Sequence, residues 1–155
     1  MKIIHIETGD KPQVNAYPLF YTKPDTAMLR NDDPFYIPAY ATEISCRPAL
    51  IVRINRIVKG IAPKFAARCY GEIAAGCGFT AENLLRECRE QGAPWECCKA
   101  FDKSSGLPNV FRPLEQMGLP IGEQRCTLRI NGQNVREFAS GELYPSVDEA
   151  ISRIS

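Results

Sequence analysis

Lys99 stands in the run Lys99-Ala100-Phe101-Asp102, directly after the adjacent cysteines Cys97 and Cys98. A lysine of this kind can bind an anion, supplying one electrostatic contact. Seven cysteines, at 46, 69, 77, 88, 97, 98 and 126, could serve a soft metal or disulfides. Their number is odd and no C-x-x-C pair occurs. Cys97 and Cys98 are vicinal, which is poor geometry for a metal clip. Small buried free thiols in a reducing cytoplasm are therefore expected, without a zinc or disulfide framework. The only histidine is His5. It falls inside an apolar run, where a lone histidine is expected to be structural.

These residues must be placed by one domain, expected to span residues 1–155. A formal net charge of +1 gives no bulk attraction to nucleic acid or to a membrane surface. No apolar run approaches the ~20 residues of a membrane-spanning helix, and the first residues carry no signal-peptide pattern. A cytoplasmic protein is expected.

Residues 2–7 (KIIHIE) are rich in β-branched side chains and predict a strand. Pro12, Pro18, Pro24, Pro34 and Pro38 then argue against helix and for extended segments and turns. Residues 49–56 (ALIVRINR) predict the strongest strand, with Leu50, Val52 and Ile54 on one face. Pro63 at a tolerated first turn predicts a helix to about Ala75, burying Phe65, Cys69 and Ile73. A second helix is expected after Thr80 as its cap, with Glu82 at its positive end. Leu84, Leu85 and Cys88 supply its apolar face and Gly92 its stop. Residues 104–113 read as loop. Residues 126–138 read as a hairpin turning at Asn131-Gly132. Ser146 and Glu149 make a capping-box pattern for a last helix carrying Ala150, Ile151 and Ile154. No repeat appears, and the lack of βαβ regularity points to α+β.

Residues 79–102 (FTAENLLRECREQGAPWECCKAFD) resemble the central motif block of the fumarylacetoacetate hydrolase family. Three further patches resemble that family in order: residues 20–25, 34–56 and 128–155. The resemblance implies a strand-rich mixed β-roll with a few short helices. It also implies hydrolase, isomerase or decarboxylase chemistry on 1,3-dicarbonyl acids, using Mg²⁺ or Mn²⁺ as a Lewis acid. A homodimer is implied, or association with an active family member, and a small anionic ligand. Lys99 matches the family's lysine in its K-x-F-D setting and is the remnant catalytic position. Lys23 and Asp102 are the implied substrate contacts.

The same comparison places the family's three metal-binding carboxylates at Arg47, Ala49 and Gly78. None of the three is an acid. A permanent guanidinium charge ~4 Å from a dication costs several kcal/mol even at an effective dielectric near ~20. The family's carboxylate-clamp arginine corresponds to Glu82, and the glutamine after it to Leu85. The stretch over residues 8–18, where many relatives carry a histidine and a glutamate for proton transfer, holds neither residue. The family's closing T-G-T-P loop is not reached by residue 155, so the family's C-terminal portion is expected to be lacking.

The resemblance therefore implies a pseudoenzyme with a binding, regulatory or structural role, needing no cofactor. The alternative is an active enzyme on acylpyruvate-like acids that holds Mg²⁺ or Mn²⁺ through replacement ligands. Its candidates are Glu43, Glu72, Glu82 and Asp102, though Glu43 is ~13 Å along a strand from Arg47. Arg47 is expected to take the place of the cation and to pair with Glu82 or another acid. A soft-metal site from Cys46, Cys77 and Cys98 is disfavoured, because neighbours of inward strand residues point outward.

Overall fold

Alternating apolar and polar residues give many short strands, and the computed structural model describes them over residues 2–7, 19–30, 32–143 and 145–155. In chain order the first elements are β1 (Ile3–Ile6), β2 (Phe20–Lys23), β3 (Met28–Leu29), β4 (Ile44–Ile54), α1 (Pro63–Ala66) and β5 (Tyr70–Ala81). Then follow α2 (Glu82–Gln91), α3 (Glu96–Lys99), β6 (Ser105–Gly106) and β7 (Arg112–Pro113). The last are β8 (Arg125–Ile130), β9 (Gln133–Ala139) and α4 (Val147–Ile154). This is the expected strand-rich α+β class with short helices. Residues 8–18, including the stretch aligned with the family's histidine and glutamate, lie outside the described residues.

The chain divides into two compact units. The first comprises Met1–His5, Tyr21–Ala49 and Ala75–Asn109. Here β6 lies between β3, which it pairs in parallel, and β5, which it pairs antiparallel. Gly78 stands opposite Ser105 and Cys77 opposite Gly106. Phe35 stacks on Phe79 with ring centres 4.0 Å apart. Ala27, Ala81, Leu85 and Cys98 are buried around them.

The start of α2 differs from expectation. Thr80 is the buried penultimate residue of β5, and Ala81 is the cap position without a side-chain bond. The open helix end is met instead by the segment before β4. The Glu82 amide donates to the Glu43 carbonyl at 2.9 Å, and Asn83 Oδ1 accepts from the amides of Thr42 and Glu43. An orphan N–H of a helix end is thereby satisfied from outside the helix. Gly92 ends α2 as expected, at φ 65°.

The second unit comprises Ile6–Phe20, Leu50–Ala74 and Val110–Ser155. Its core gathers Ala66, Tyr70 and Ile151, packed by Val52, Val58, Ile61, Leu114, Ile121 and Val147. The expected helix over 63–75 is corrected here: α1 is one turn, a 3₁₀ turn covers Ala67–Cys69, and β5 begins at Tyr70. Phe65 is 40% exposed, whereas Ile73 is buried on a strand. The β8–β9 hairpin turns at Asn131 (φ 51°) and Gly132 (φ 80°), the two left-handed residues such a turn needs. Ser146 and Glu149 form both bonds of the capping box on α4.

Candidate functional site

The site lies in the first unit. Residues two apart on a strand share a side. On β2 this puts Tyr21 and Lys23 inward, between exposed Phe20 and Thr22. The Tyr21 ring is the centre of the arrangement. The His5 imidazole stacks on it at 4.8 Å, and the Trp95 indole meets it edge-on at 5.2 Å. Lys99 Nζ lies 5.4 Å from the Tyr21 ring centre and 5.5 Å from that of Trp95, and Lys23 Nζ lies 5.7 Å from Tyr21. Ring faces attract ammonium groups, and more strongly when water is excluded. Both lysines are buried, Lys23 to 3% exposure and Lys99 to 6%.

Ser104, with no exposed surface, ties the two lysines together. Lys23 Nζ donates to the Ser104 carbonyl at 2.9 Å and to its hydroxyl at 3.2 Å. The Ser104 hydroxyl in turn donates to the Lys99 carbonyl at 3.0 Å. Lys23 and Lys99 are thus both brought to the Tyr21 ring. Asp102 is not: it is exposed, and its charge acts on Tyr40. Burial, then Cys97, Asp102 and Cys98, raise the Tyr40 hydroxyl above its usual range.

At the three positions aligned with metal-binding carboxylates, Arg47 and Ala49 share a side of β4 and Gly78 lies on its neighbour β5. None of these side chains offers an oxygen. A Cβ added at Gly78 would stand 3.1 Å from His5 Cε1, so the imidazole already fills that space. Arg47 is exposed, and the Glu82 carboxylate accepts from the Ser45 hydroxyl. The other candidate replacement ligands are engaged elsewhere: Glu43 with Arg86 at 2.7 Å and Glu72 with Arg53 at 2.7 Å.

Cys46 and Cys77, on the neighbouring strands β4 and β5, act on each other's titration. The Cys46 thiol draws Cys77 down from 9.0 to about 7; burial opposes this, and the Gly106 backbone and Lys23 charge assist. Hydrogen bonding to Cys77, then burial and the Cys77 charge, push Cys46 up. Cys98 does not join them. It meets Cys88 and Cys97, the one group of three possible metal ligands that the described residues bring together. Burial first, then the bonds to Cys88 and Cys97, push Cys98 up to about 12. α2 thus brings a third sulfur to the vicinal pair, a proximity the sequence does not suggest.

Sequence reasoning missed Tyr21, Trp95 and Ser104, and it placed His5 in the first strand without its ring partner. The alternation of Tyr21 with Lys23 was the available signal for the first; nothing local pointed to the other residues.

A family model described as fumarylacetoacetate (FAA) hydrolase C-terminal matches residues 5–155. The mitochondrial oxaloacetate tautomerase FAHD1 of Rattus norvegicus is 30% identical over 143 residues, covering 92% of this chain and 63% of that protein. The oxaloacetate tautomerase YcgM of Escherichia coli (strain K12) is 22% identical over 138 residues, 89% of this chain and 63% of its own length. The chain thus spans less than two thirds of these curated relatives. The fumarylpyruvate hydrolase of Pseudomonas aeruginosa, crystallised with Mn²⁺ and pyruvate, superposes with a TM-score of 0.80 at 26% identity. That match covers 89% of this chain and 60% of the other. A 5-carboxymethyl-2-hydroxymuconate delta-isomerase from Mycobacterium smegmatis shares the fold, with a TM-score of 0.80 at 20% identity over 99% of this chain and 59% of its own.

Proposed function

The chain belongs to the fumarylacetoacetate hydrolase family, and on that premise we propose that it is a member that no longer runs the family's metal-dependent reaction. Its role is binding, with itself as a homodimer or with an active family member. The observation that carries this reading is the His5 ring over Gly78, 3.1 Å from where a side chain would begin. A hard divalent cation needs several oxygen ligands. Arg47, Ala49 and Gly78 provide none, so the donor set does not fit Mg²⁺ or Mn²⁺ and no catalytic step is derived through either.

The remaining groups act as packing. The two ammonium groups are held against Tyr21, and Lys23 is fixed by Ser104. Lys99, the remnant catalytic position, and Lys23 remain the groups that would meet a small carboxylate ligand. Asp102 is exposed and is not assigned to that contact. All seven cysteines are free, which supports a reducing compartment, the cytoplasm in the simplest case. No helix among the described residues is long and apolar enough to cross a membrane.

The test is melting temperature against Mg²⁺ and Mn²⁺, with turnover of oxaloacetate enol and fumarylpyruvate followed in parallel. The expected result is no metal-dependent stabilisation and no turnover. Saturation at ~100 times Kd would stabilise a binding-competent protein by ~2.7 kcal/mol, which is readily seen. Metal-dependent turnover would return the chain to the active hydrolases and isomerases that its relatives' names describe. Mass measurement of the native protein, alone and mixed with an active relative, reads the proposed association.

A further inference from the structure

We propose that Cys88, Cys97 and Cys98 form a three-thiolate site for a soft d¹⁰ cation, Zn²⁺ or Cu⁺. Cys88 comes from the last turn of α2, and Cys97 and Cys98 are consecutive on α3. Between them the chain reverses at Gly92, where the Ala93 amide donates to the Cys88 carbonyl at 2.8 Å. This reversal brings together sulfurs separated by ten positions. Cys98 Sγ lies 3.6 Å from Cys88 Sγ and 3.7 Å from Cys97 Sγ, and all three sulfurs fall within 4.8 Å of one another.

Spacing decides between the possible uses of the cluster. A disulfide requires sulfurs at ~2.0 Å. Thiolates bound at ~2.3 Å around a tetrahedral cation lie ~3.8 Å apart. The observed separations match the second arrangement. Soft sulfur donors select Zn²⁺ or Cu⁺ over Mg²⁺ or Mn²⁺. The carbonyl end of α2 adds a favourable partial negative charge near the cation. Cys98 is fully buried and holds the inner position, while exposed Cys97 leaves the outer side open to a fourth ligand. As each sulfur binds the cation its thiol proton passes to solvent, so the step needs no oxidant or reductant.

The experiment titrates the reduced full chain with Cd²⁺ and follows the ultraviolet thiolate-to-metal charge-transfer band. One equivalent is expected to bind. Cys97→Ser and Cys88→Ser should each weaken binding by at least ~100-fold, no less than loss of an outer hydrogen-bonding partner costs at other metal sites. Cys126→Ser should leave it unchanged. Because Cys97 is exposed, its variant tests the site even if a change at buried Cys98 prevents folding. Displacement of Cd²⁺ by Zn²⁺ in one arm and by Cu⁺ in another identifies the cation the site prefers. Absence of the band, or a band indifferent to both Cys88→Ser and Cys97→Ser, overturns the proposal.

Discussion

The face around Tyr21 and the cluster around Cys98 both draw on residues 95–99, yet they end in opposite conditions. At the first, side chains pack against one another. His5 covers Gly78, Trp95 and two ammonium groups cover Tyr21, and Ser104 joins Lys23 to Lys99. At the second, three sulfurs converge at distances that suit an ion between them. The positions proposed to match a hard-cation site carry no side-chain oxygen, and a soft-donor set stands elsewhere in the same unit. Proximity to an inherited site is therefore a poor guide to where ligand chemistry lies. The donor atoms and their spacing are the better guide.

The contrast implies that substitutions on the packed side cost stability and that those at the outer sulfur do not. The largest effect is expected at Ser104. Ser104→Ala removes an acceptor of a buried ammonium and a donor to the Lys99 carbonyl, and should cost ~2–3 kcal/mol in urea unfolding. A loss below ~0.5 kcal/mol would mean that the face is not locked as described. Next is Gly106→Ala, whose new Cβ would stand 2.6 Å from Cys77 Sγ. It should cost ~1–2 kcal/mol by overpacking, and the double variant with Cys77→Ala should recover most of that loss.

A smaller effect concerns the Cys46–Cys77 pair. Alkylation requires thiolate, so labelling of Cys77 should rise with pH through a midpoint at about 7. Cys46→Ala removes the leading cause of that low value and should move the midpoint up by ~1 unit, slowing labelling at neutral pH. An unmoved midpoint in mapped mass spectra would break the pairing. The smallest effect is expected for Cys97→Ser in metal-free protein, within ~0.5 kcal/mol of the parent, because this sulfur is exposed. A large loss there would place the cluster among the packed elements and erase the contrast.

Local signals in the sequence were readable where the backbone itself needed a particular residue. Asn131-Gly132 demanded a hairpin turn, and Ser146 with Glu149 satisfied a helix end within four residues. The helix expected over 63–75 failed because β5 carries Gly71, Gly76 and Gly78, which mask strand propensity. The spacing of Cys69 and Ile73 fitted a helical stripe by coincidence. The site was legible in part. Lys23 and Lys99 are named by their motifs, and the structure brings both to Tyr21. Tyr21 as a hub, Ser104 as a bridge and Cys88 as the third sulfur depend on chain reversals at separations of up to 81 residues, which no local pattern encodes.

The Ser104 bridge also treats the two lysines differently. Lys23 has its hydrogen bonds in the loop after α3, and that loop is fixed to the carbonyl of Lys99 by the same hydroxyl. Replacing Lys23 leaves the Ser104 hydroxyl and carbonyl without their ammonium donor, whereas the Lys99 carbonyl keeps its bond whatever side chain stands at position 99. Arg47 and Ala49 stand on a partly exposed strand instead. A lysine held by packing in this way will mislead any assignment of activity made from the lysine alone.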